Sequence, residues 1–170
     1  PKSKVKPWSI KELFLHYKKE LLFDRFKKEK QLTLAKKDKS KKGSIDKRIQ
    51  SLLKTINSHP NYYTTSSCSG RIVLLATKDF KKGYANWLFV SHEKVKLDQV
   101  LKALTKLPEE TVWLRQEPPI IHVCCRTIKD AIHLVNIARS TGFKRSGIQS
   151  TAKNTVEIVS VEALEVPVAE

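Results

Sequence analysis

Apolar residues recur at helical spacing in two segments near the start of the chain. Ser9 and Glu12 have the spacing of a capping box, which predicts that an amphipathic helix begins after Ser9. Ser44 can cap a second helix, which Pro60 ends. The apolar sets are Ile10, Leu13, Phe14, Tyr17, Leu21 and Leu22 in the first helix and Ile45, Ile49, Leu52, Leu53 and Ile56 in the second. Between them, residues 35–43 (AKKDKSKKG) have no apolar period and indicate an exposed basic loop.

Beyond Tyr62 the pattern changes to short β-branched and aromatic runs, which are typical of strands. The predicted strands are 71–76, 86–91, 112–116, 120–125, 147–151 and 155–161. One helix runs from Leu97 until Pro108 stops it. Another opens at the capping-box pattern of Thr127 and Asp130 and ends before Gly142.

The order of these elements predicts the fold class. Residues 62–161 read ββα, ββα, ββ, which predicts an α+β fold with helices on a mixed β-sheet. Residues 87–104 and 119–138 each run from a strand through a short polar tip into a helix, which suggests an internal ββα duplication. No Gly-rich nucleotide motif opens a βα unit, so the fold is expected to be non-Rossmann.

The chain length suits a single domain over residues 1–170. We expect a basic helical part at 1–60 and a β-sheet core with two helices at 61–170. No apolar run is long enough to span a bilayer and no secretory signal is present, so we expect a cytoplasmic protein with no membrane contact. The three cysteines lack a CxxC spacing and the five histidines are scattered, so neither a disulfide framework nor a metal site is expected.

The charge distribution gives the first functional indication. The chain carries 33 Lys and Arg against 17 Asp and Glu, a net charge of +16. Residues 1–48 contain 17 of the basic and 6 of the acidic side chains. A positive field of this size attracts polyanions, and nucleic acid is the common soluble polyanion. The alternative is a Lys-rich surface that serves stability or solubility in a heat-adapted protein.

Residues 62–71 (YYTTSSCSGR) are dense in short hydrogen-bonding groups just before a buried strand. The backbone amides of Ser69 and Gly70 can approach an anion closely, because Gly70 tolerates a positive φ. Arg71 can hold a carboxylate or phosphate through two hydrogen bonds. The segment is equally consistent with a polar turn whose hydroxyls satisfy the local backbone.

Other candidate groups stand at predicted strand tips. Cys68 invites a nucleophile interpretation, but no motif of a cysteine or serine hydrolase surrounds it, and a small buried cysteine is the alternative. His92, His122 and Arg126 suit a general base or phosphate clamp, or are satisfied structural groups. Residues 142–148 (GFKRSGI) suit a phosphate or base site, or a helix stop followed by a basic turn.

Six segments occur in an order that resembles the tRNA wybutosine-synthesizing protein 3 family, over roughly residues 20–168. They are DKSKKGSID (38–46), YYTTSSCSGRI (62–72), Trp87 to His92, EPPIIHVCCRT (117–127), GFKRSGI (142–148) and LEVP (164–167). The SSCSGR and GFKRSGI segments, at this separation, are specific to the pattern of that family. Members of the family usually continue beyond LEVP into another long helix, whose contribution to a site is not represented in this sequence.

The resemblance implies an atypical fold and an S-adenosylmethionine-dependent methyltransferase. The implied substrate is the N4 nitrogen of the tricyclic base derived from guanosine 37 of phenylalanine tRNA, so the anticodon stem-loop is the expected partner. The implied catalytic residues are His92 as proton acceptor, Arg126 and Asp38. The implied cofactor-binding residues are Ser66, Ser67, Cys68, Ser69, Gly70, Arg71, His122, Ser146 and Gly147. The implied RNA-binding residues are Lys39, Lys41, Lys42, Lys144 and Arg145. A lid or an RNA contact from the basic loop is expected to involve Asp38, Ser40, Lys42 and Asp46.

Two alternatives from other functional classes stay open at this point. A non-catalytic RNA-binding module would use the same basic surface without binding the methyl donor. A Cys/His hydrolase would depend on Cys68. The oligomeric state is not indicated by the sequence.

Overall fold

The structure, a computed structural model, describes residues 9–36, 44–78 and 85–169. The chain divides into two compact units, Pro1–Lys37 and Asp38–Glu170. Our prediction of one domain over residues 1–170 stays a prediction. None of the helices that the structure describes combines the length and apolar character needed to cross a bilayer.

The first unit contains one long helix, α1 (Ile10–Leu34). Its predicted capping box is confirmed: the Ser9 hydroxyl accepts the Glu12 amide, and the Glu12 carboxylate accepts the Ser9 amide. The predicted apolar set is largely exposed, with Ile10 at 88% and Phe14 at 72% of their full accessible surface. Phe26 is the buried residue of this helix.

The second unit begins with a 3₁₀ turn, Lys47–Ile49, which leads into α2 (Gln50–Ser58). The remaining elements are β1 (Tyr62–Cys68), β2 (Arg71–Ala76), β3 (Asn86–Ser91), α3 (Leu97–Ala103), β4 (Val112–Glu117), β5 (Ile120–Cys125), α4 (Ile128–Ser140), β6 (Gly147–Ser150), β7 (Thr155–Val159) and β8 (Leu164–Ala169). The helix predicted to begin at Ser44 therefore starts later. Asp46 stands at the N-terminus of the 3₁₀ turn, and its side chain does not cap the turn.

The α+β fold class is confirmed, and the strands form two antiparallel sheets where we expected one mixed sheet. Sheet A has the strand order β1-β5-β7-β6, and sheet B has the order β3-β2-β4-β8. The two segments expected to be duplicates occupy different places, because β3 is an edge strand of sheet B whereas β5 is an inner strand of sheet A.

Each sheet packs against helices on one face. Helices α2 and α4 cover sheet A, because alternate residues of β5 and β7 and the apolar sides of both helices share one core. That core contains Ile49, Leu53, Ile121, Val123, Cys125, Ala131, Val135, Ala138, Val156 and Ile158. On sheet B, α3 packs through Val100 and Leu104 onto a smaller core of Leu74, Ala76 and Val112.

The chain passes from one sheet to the other at adjacent points. Ser69 and Gly70 lead from β1 in sheet A to β2 in sheet B, and Pro118 and Pro119 lead from β4 in sheet B to β5 in sheet A. These two connections touch: a Cβ added at Gly70 would lie 2.9 Å from the carbonyl oxygen of Glu117. Gly70 has a φ of +90°, as its predicted tolerance of positive φ allows. The junction of the two sheets therefore needs glycine here.

Candidate functional site

The junction between the sheets brings together Asp46, Cys68, Ser69 and His92, which we call the Asp46 cluster. The Asp46 carboxylate is 7% exposed and accepts the Ser69 amide at 2.8 Å. The same oxygen lies 3.2 Å from Nδ1 of His92. Cys68 Sγ lies 3.6 Å from that Nδ1. Asp46 thus lies in a buried contact network, and our prediction of a lid or an RNA contact for it stays a prediction.

Cys68 lies beside a histidine, as a thiol nucleophile does, but its surroundings disfavour the thiolate form that a nucleophile needs. Burial raises the pKa of the Cys68 thiol, and the neighbouring Asp46 and Glu117 carboxylates raise the pKa further. The Gly70 amide and the Arg71 guanidinium act in the opposite direction without reversing the shift. A nucleophilic cysteine requires a lowered pKa. The environment of Cys68 therefore argues against the Cys/His hydrolase.

Arg71 and Glu117 form a second group beside the cluster, which we call the Arg71 pair. They are directly opposite each other across β2 and β4, and Nε of Arg71 donates to the Glu117 carboxylate. The Arg71 guanidinium also lies 4.9 Å from the ring centre of Trp87 on β3. The side chains of Arg71 and Glu117 are 32% and 28% exposed. A ligand can therefore reach both charges.

A row of polar side chains crosses sheet A beside the cluster, and we call it the His122 row. Ser66, His122 and Glu157 follow one another in register across β1, β5 and β7, and Gly147 of β6 is the backbone partner of Glu157. Nδ1 of His122 lies 3.0 Å from the Ser66 hydroxyl, and Nε2 lies 3.1 Å from the Glu157 carboxylate. Ser66 and Cys68 share a face of β1 two residues apart, so the row lies about 7 Å from the cluster.

Some predicted cofactor-binding residues do not share this face. Ser67 is paired with Ile121, so its side chain lies on the opposite face of β1 from Ser66 and Cys68. Ser146 is fully buried, and its hydroxyl accepts the Val159 amide at 3.2 Å. Gly147 lies in the edge strand beyond Glu157.

Arg126 is separated from the rest of the predicted site. It follows Cys125, which is paired with Tyr62 at the far end of β1, whereas Cys68 is at the near end. Six residues of strand correspond to about 20 Å. The structure therefore does not bring Arg126 together with Arg71 and His92 as we expected.

The predicted RNA-binding residues fall into two sets. Lys144 and Arg145 are exposed in the turn between α4 and β6. Lys39, Lys41 and Lys42, together with the predicted catalytic Asp38 and with Ser40 of the expected lid, lie outside the described residues.

The Asp46 cluster is also the place where a metal ion could be held. Asp46, Cys68 and His92 each offer one ligand atom, and these atoms lie within 4.8 Å of one another. Carboxylate, thiolate and imidazole together suit a zinc-type ion. A hydrogen bond from His92 Nδ1 to the Asp46 carboxylate accounts for the same proximity without an ion. Our prediction that the protein holds no metal stays a prediction.

Three residues of the site had no predicted role: Trp87, Glu117 and Glu157. Two of them stand inside or beside segments that were already singled out, since Glu117 opens EPPIIHVCCRT and Trp87 opens the segment ending at His92. Their roles depend on strand pairing. Glu117 becomes a partner of Arg71 only because β2 pairs with β4, 46 residues further along the chain.

The chain is similar to proteins of one family. The family described as Methyltransferase TYW3 matches residues 24–170. A protein of Pyrococcus abyssi named tRNA(Phe) 7-((3-amino-3-carboxypropyl)-4-demethylwyosine(37)-N(4))-methyltransferase 1 is 46% identical over 146 residues, which covers 84% of this chain and 74% of that protein. The tRNA wybutosine-synthesizing protein 3 homolog of Danio rerio is 38% identical, with 86% of this chain and 60% of that protein covered.

The chain is also similar to solved structures. The structure of the PH1069 protein from Pyrococcus horikoshii has a TM-score of 0.77 and 42% sequence identity, covering 88% of this chain and 78% of that chain. The crystal structure of a hypothetical protein from Aeropyrum pernix has a TM-score of 0.64 and 29% identity, covering 73% of this chain and 74% of that chain.

Proposed function

Because the chain belongs to the Methyltransferase TYW3 family, we propose that it transfers a methyl group from S-adenosylmethionine to the N4 nitrogen of the tricyclic base at position 37 of phenylalanine tRNA. The observation that carries this proposal is the sheet junction at Cys68–Arg71. There a buried carboxylate, an imidazole and a reachable guanidinium stand on the two sides of one turn.

The residues at this junction fit the proposed methyl donor. When bound, S-adenosylmethionine supplies a methyl group on a sulfonium sulfur. Its carboxylate suits Arg71, whose terminal guanidinium nitrogens have no hydrogen-bond partner among the residues that the structure describes. The exposed hydroxyl of Ser66 and the half-exposed ring of Trp87 suit the polar and flat parts of such a ligand.

Methyl transfer to a ring nitrogen requires a group that accepts the nitrogen's proton. We assign that role to His92. A histidine that donates Nδ1–H to the Asp46 carboxylate keeps a lone pair on Nε2, where it can accept the proton of the ring nitrogen. Asp46 is then a positioning residue that fixes the imidazole tautomer, and its own position is fixed by the Ser69 amide.

The proposed partner is the anticodon stem-loop, where position 37 lies. The net charge of +16 favours association with RNA. Lys144 and Arg145 are exposed cations on the edge of sheet A. We also propose that this methylation takes place in the cytoplasm and that the protein is located there.

The experiment that tests this function is a methyl-transfer assay with tRNA from cells lacking this protein. We expect labelled methyl from S-adenosylmethionine to appear at the position-37 base. We expect Arg71→Ala to lower kcat/KM by a hundredfold or more, because a charge-assisted contact is lost. Cys68→Ser should retain donor binding. Binding of tRNA with no donor affinity, measured calorimetrically, would instead identify a non-catalytic RNA-binding module.

A further inference from the structure

The Arg71 pair presents one positive and one negative group side by side at the sheet junction. We propose that this pair binds a zwitterionic α-amino-acid group, with the carboxylate on Arg71 and the ammonium on Glu117. The inference rests on the proposed function, because two of its reactants carry such a group: the methionine end of the methyl donor, and the 3-amino-3-carboxypropyl chain in the substrate named for the Pyrococcus abyssi relative.

The orientation of Arg71 supports this inference. Its Nε is engaged by Glu117 and its guanidinium lies 4.9 Å from the centre of the Trp87 ring. These two contacts fix the plane of the guanidinium. Its two terminal nitrogens remain available within the described part of the chain, and they form the edge that binds a carboxylate through two hydrogen bonds.

The charge of the pair selects the kind of ligand. A phosphate that approached Arg71 would be repelled by Glu117, and a simple cation that approached Glu117 would be repelled by Arg71. A zwitterion with its two charges on adjacent groups satisfies both side chains. The exposure of Arg71 and Glu117, 32% and 28%, lets a ligand reach both while each remains partly shielded from water.

The pair also stands on rigid backbone. Glu117 is the last residue of β4, and Pro118 and Pro119 follow it. The backbone at Gly70 packs directly against the Glu117 carbonyl. Proline fixes its own φ, so the Glu117 side of the contact has few alternative conformations. A site with this support loses little conformational freedom when a ligand binds.

The test uses two pairs of ligands that differ in the amino-acid group. For the methyl donor, the affinities of S-adenosylhomocysteine and 5′-methylthioadenosine are compared by calorimetry. For the tRNA, kcat/KM is compared between phenylalanine tRNA whose tricyclic base carries the 3-amino-3-carboxypropyl chain and the same tRNA whose base lacks it. The wild type, Arg71→Lys and Glu117→Gln are measured in both comparisons.

Arg115 and Glu165 provide matched controls. They form another ion pair directly across two strands of sheet B, at 2.7 Å and with 31% and 37% exposure. Arg115→Lys and Glu165→Gln therefore report the effect of weakening a sheet B ion pair of similar exposure. Thermal unfolding of all four variants shows whether each folds as the wild type does.

The two comparisons distinguish the source of the amino-acid group. A preference of about tenfold or more for S-adenosylhomocysteine that both Arg71 pair variants lose, and the controls keep, assigns the pair to the methyl donor. The same pattern in the tRNA comparison assigns it to the base. If the wild type methylates tRNA but its variants keep both preferences, the inference is overturned and the proposed function stands. If the wild type neither binds the donor nor methylates tRNA, the proposed function is overturned, and the inference that rests on it is overturned with it.

Discussion

Gly70 is the residue on which the geometry of the sheet junction depends. Its φ of +90° is costly for any residue with a Cβ, and an added Cβ would lie 2.9 Å from the Glu117 carbonyl oxygen and 3.3 Å from the Pro119 nitrogen. Both neighbours are backbone atoms that cannot rotate away. Any side chain at position 70 therefore displaces the turn that carries Cys68 and Arg71.

We expect Gly70→Ala to lower the free energy of unfolding by about 2 kcal/mol or more and to reduce methyl transfer. Gly142 is a matched control, because it also has a positive φ, +104°, but open space where a Cβ would lie. Gly142→Ala should show the backbone strain without the collision. Denaturant unfolding of both variants measures the difference. Equal losses of stability and activity would show that the junction does not depend on this contact.

The Cys68 thiol reports on the Asp46 cluster. Burial and the Asp46 carboxylate both raise its pKa, so the thiolate fraction at neutral pH is smaller than that of an ordinary cysteine. We expect alkylation of Cys68 to be slow at pH 7 and to rise only at more alkaline pH. Asp46→Asn removes a charge that raises the pKa, so it should move the alkylation profile to lower pH. Mass spectrometry of the Cys68 peptide measures this shift.

Cys125 serves as an internal reference in that experiment. Cys125 is 2% exposed, and burial raises its pKa to about 12. It should resist alkylation up to alkaline pH in both proteins. If Asp46→Asn accelerates labelling of Cys125 as much as that of Cys68, general loosening of the fold is the cause and the local electrostatic explanation is wrong.

At the scale of elements, helix α4 depends on its first turn for its place on sheet A. The Thr127 hydroxyl accepts the Asp130 amide, and the Asp130 carboxylate accepts the Thr127 amide. The other oxygen of Asp130 accepts Asn61 from the segment before β1. This capping box therefore joins the helix start to the far end of sheet A, while Ala131, Val135 and Ala138 bury the helix face.

We expect Thr127→Ala to lower the free energy of unfolding by about 1 kcal/mol, the usual effect of losing an N-terminal cap. Ser140→Ala, at the other end of the same helix, removes an exposed hydroxyl that donates back to the Ile137 carbonyl. That change should stay within about 0.5 kcal/mol, as exposed substitutions do. Urea denaturation compares the two. A Thr127→Ala protein as stable as the wild type would contradict the assigned role of the cap.

At the scale of the whole molecule, the net charge of +16 predicts salt-dependent association with RNA. Lys144 and Arg145 are the exposed cations of the predicted RNA-binding set within the described residues. Replacing both with alanine should weaken tRNA binding and reduce the slope of log K against log salt concentration by about one to two. Binding titrations at several salt concentrations measure the slope.

A second double variant, with the same net charge as the Lys144 and Arg145 variant, distinguishes local RNA contacts from the effect of the overall charge. Lys102 and Lys106 are also exposed, at and beyond the end of α3. Replacing both with alanine removes two charges from a different part of the molecule and should leave the slope nearly unchanged. If the two double variants behave alike, net charge rather than the turn between α4 and β6 governs binding.

The sequence predicted many element boundaries and the family. Strands 71–76, 86–91 and 120–125 were predicted with the bounds that the structure has, and the capping boxes at Ser9 and Thr127 are confirmed. These features depend on neighbouring residues, whose spacing is written directly in the chain. Membership of the methyltransferase family is confirmed as well. It was predictable because short segments in a fixed order are also a property of the chain alone.

Tertiary structure alone decided which strands share a sheet. β1 was not predicted, since its hydroxyl-rich residues resemble a turn until β5 pairs with them. β8 was not predicted either, and among the described strands it lies at an edge of sheet B and pairs with β4. Pairing between distant segments leaves no local period in the sequence. For that reason the prediction of one mixed sheet differs from the two antiparallel sheets that the structure has.

The candidate site shows the same division. The residue types of residues 62–71 suggested either a binding site or a polar turn, because short donors beside a glycine and an arginine suit a charged ligand as well as the local backbone. The partners of that segment were decided by folding. Asp46 and His92 meet across 46 residues of chain, as do Arg71 and Glu117, whereas Arg126 ends up at the far end of its sheet. The chain fixes which chemistry is available, and long-range packing fixes which groups can act together.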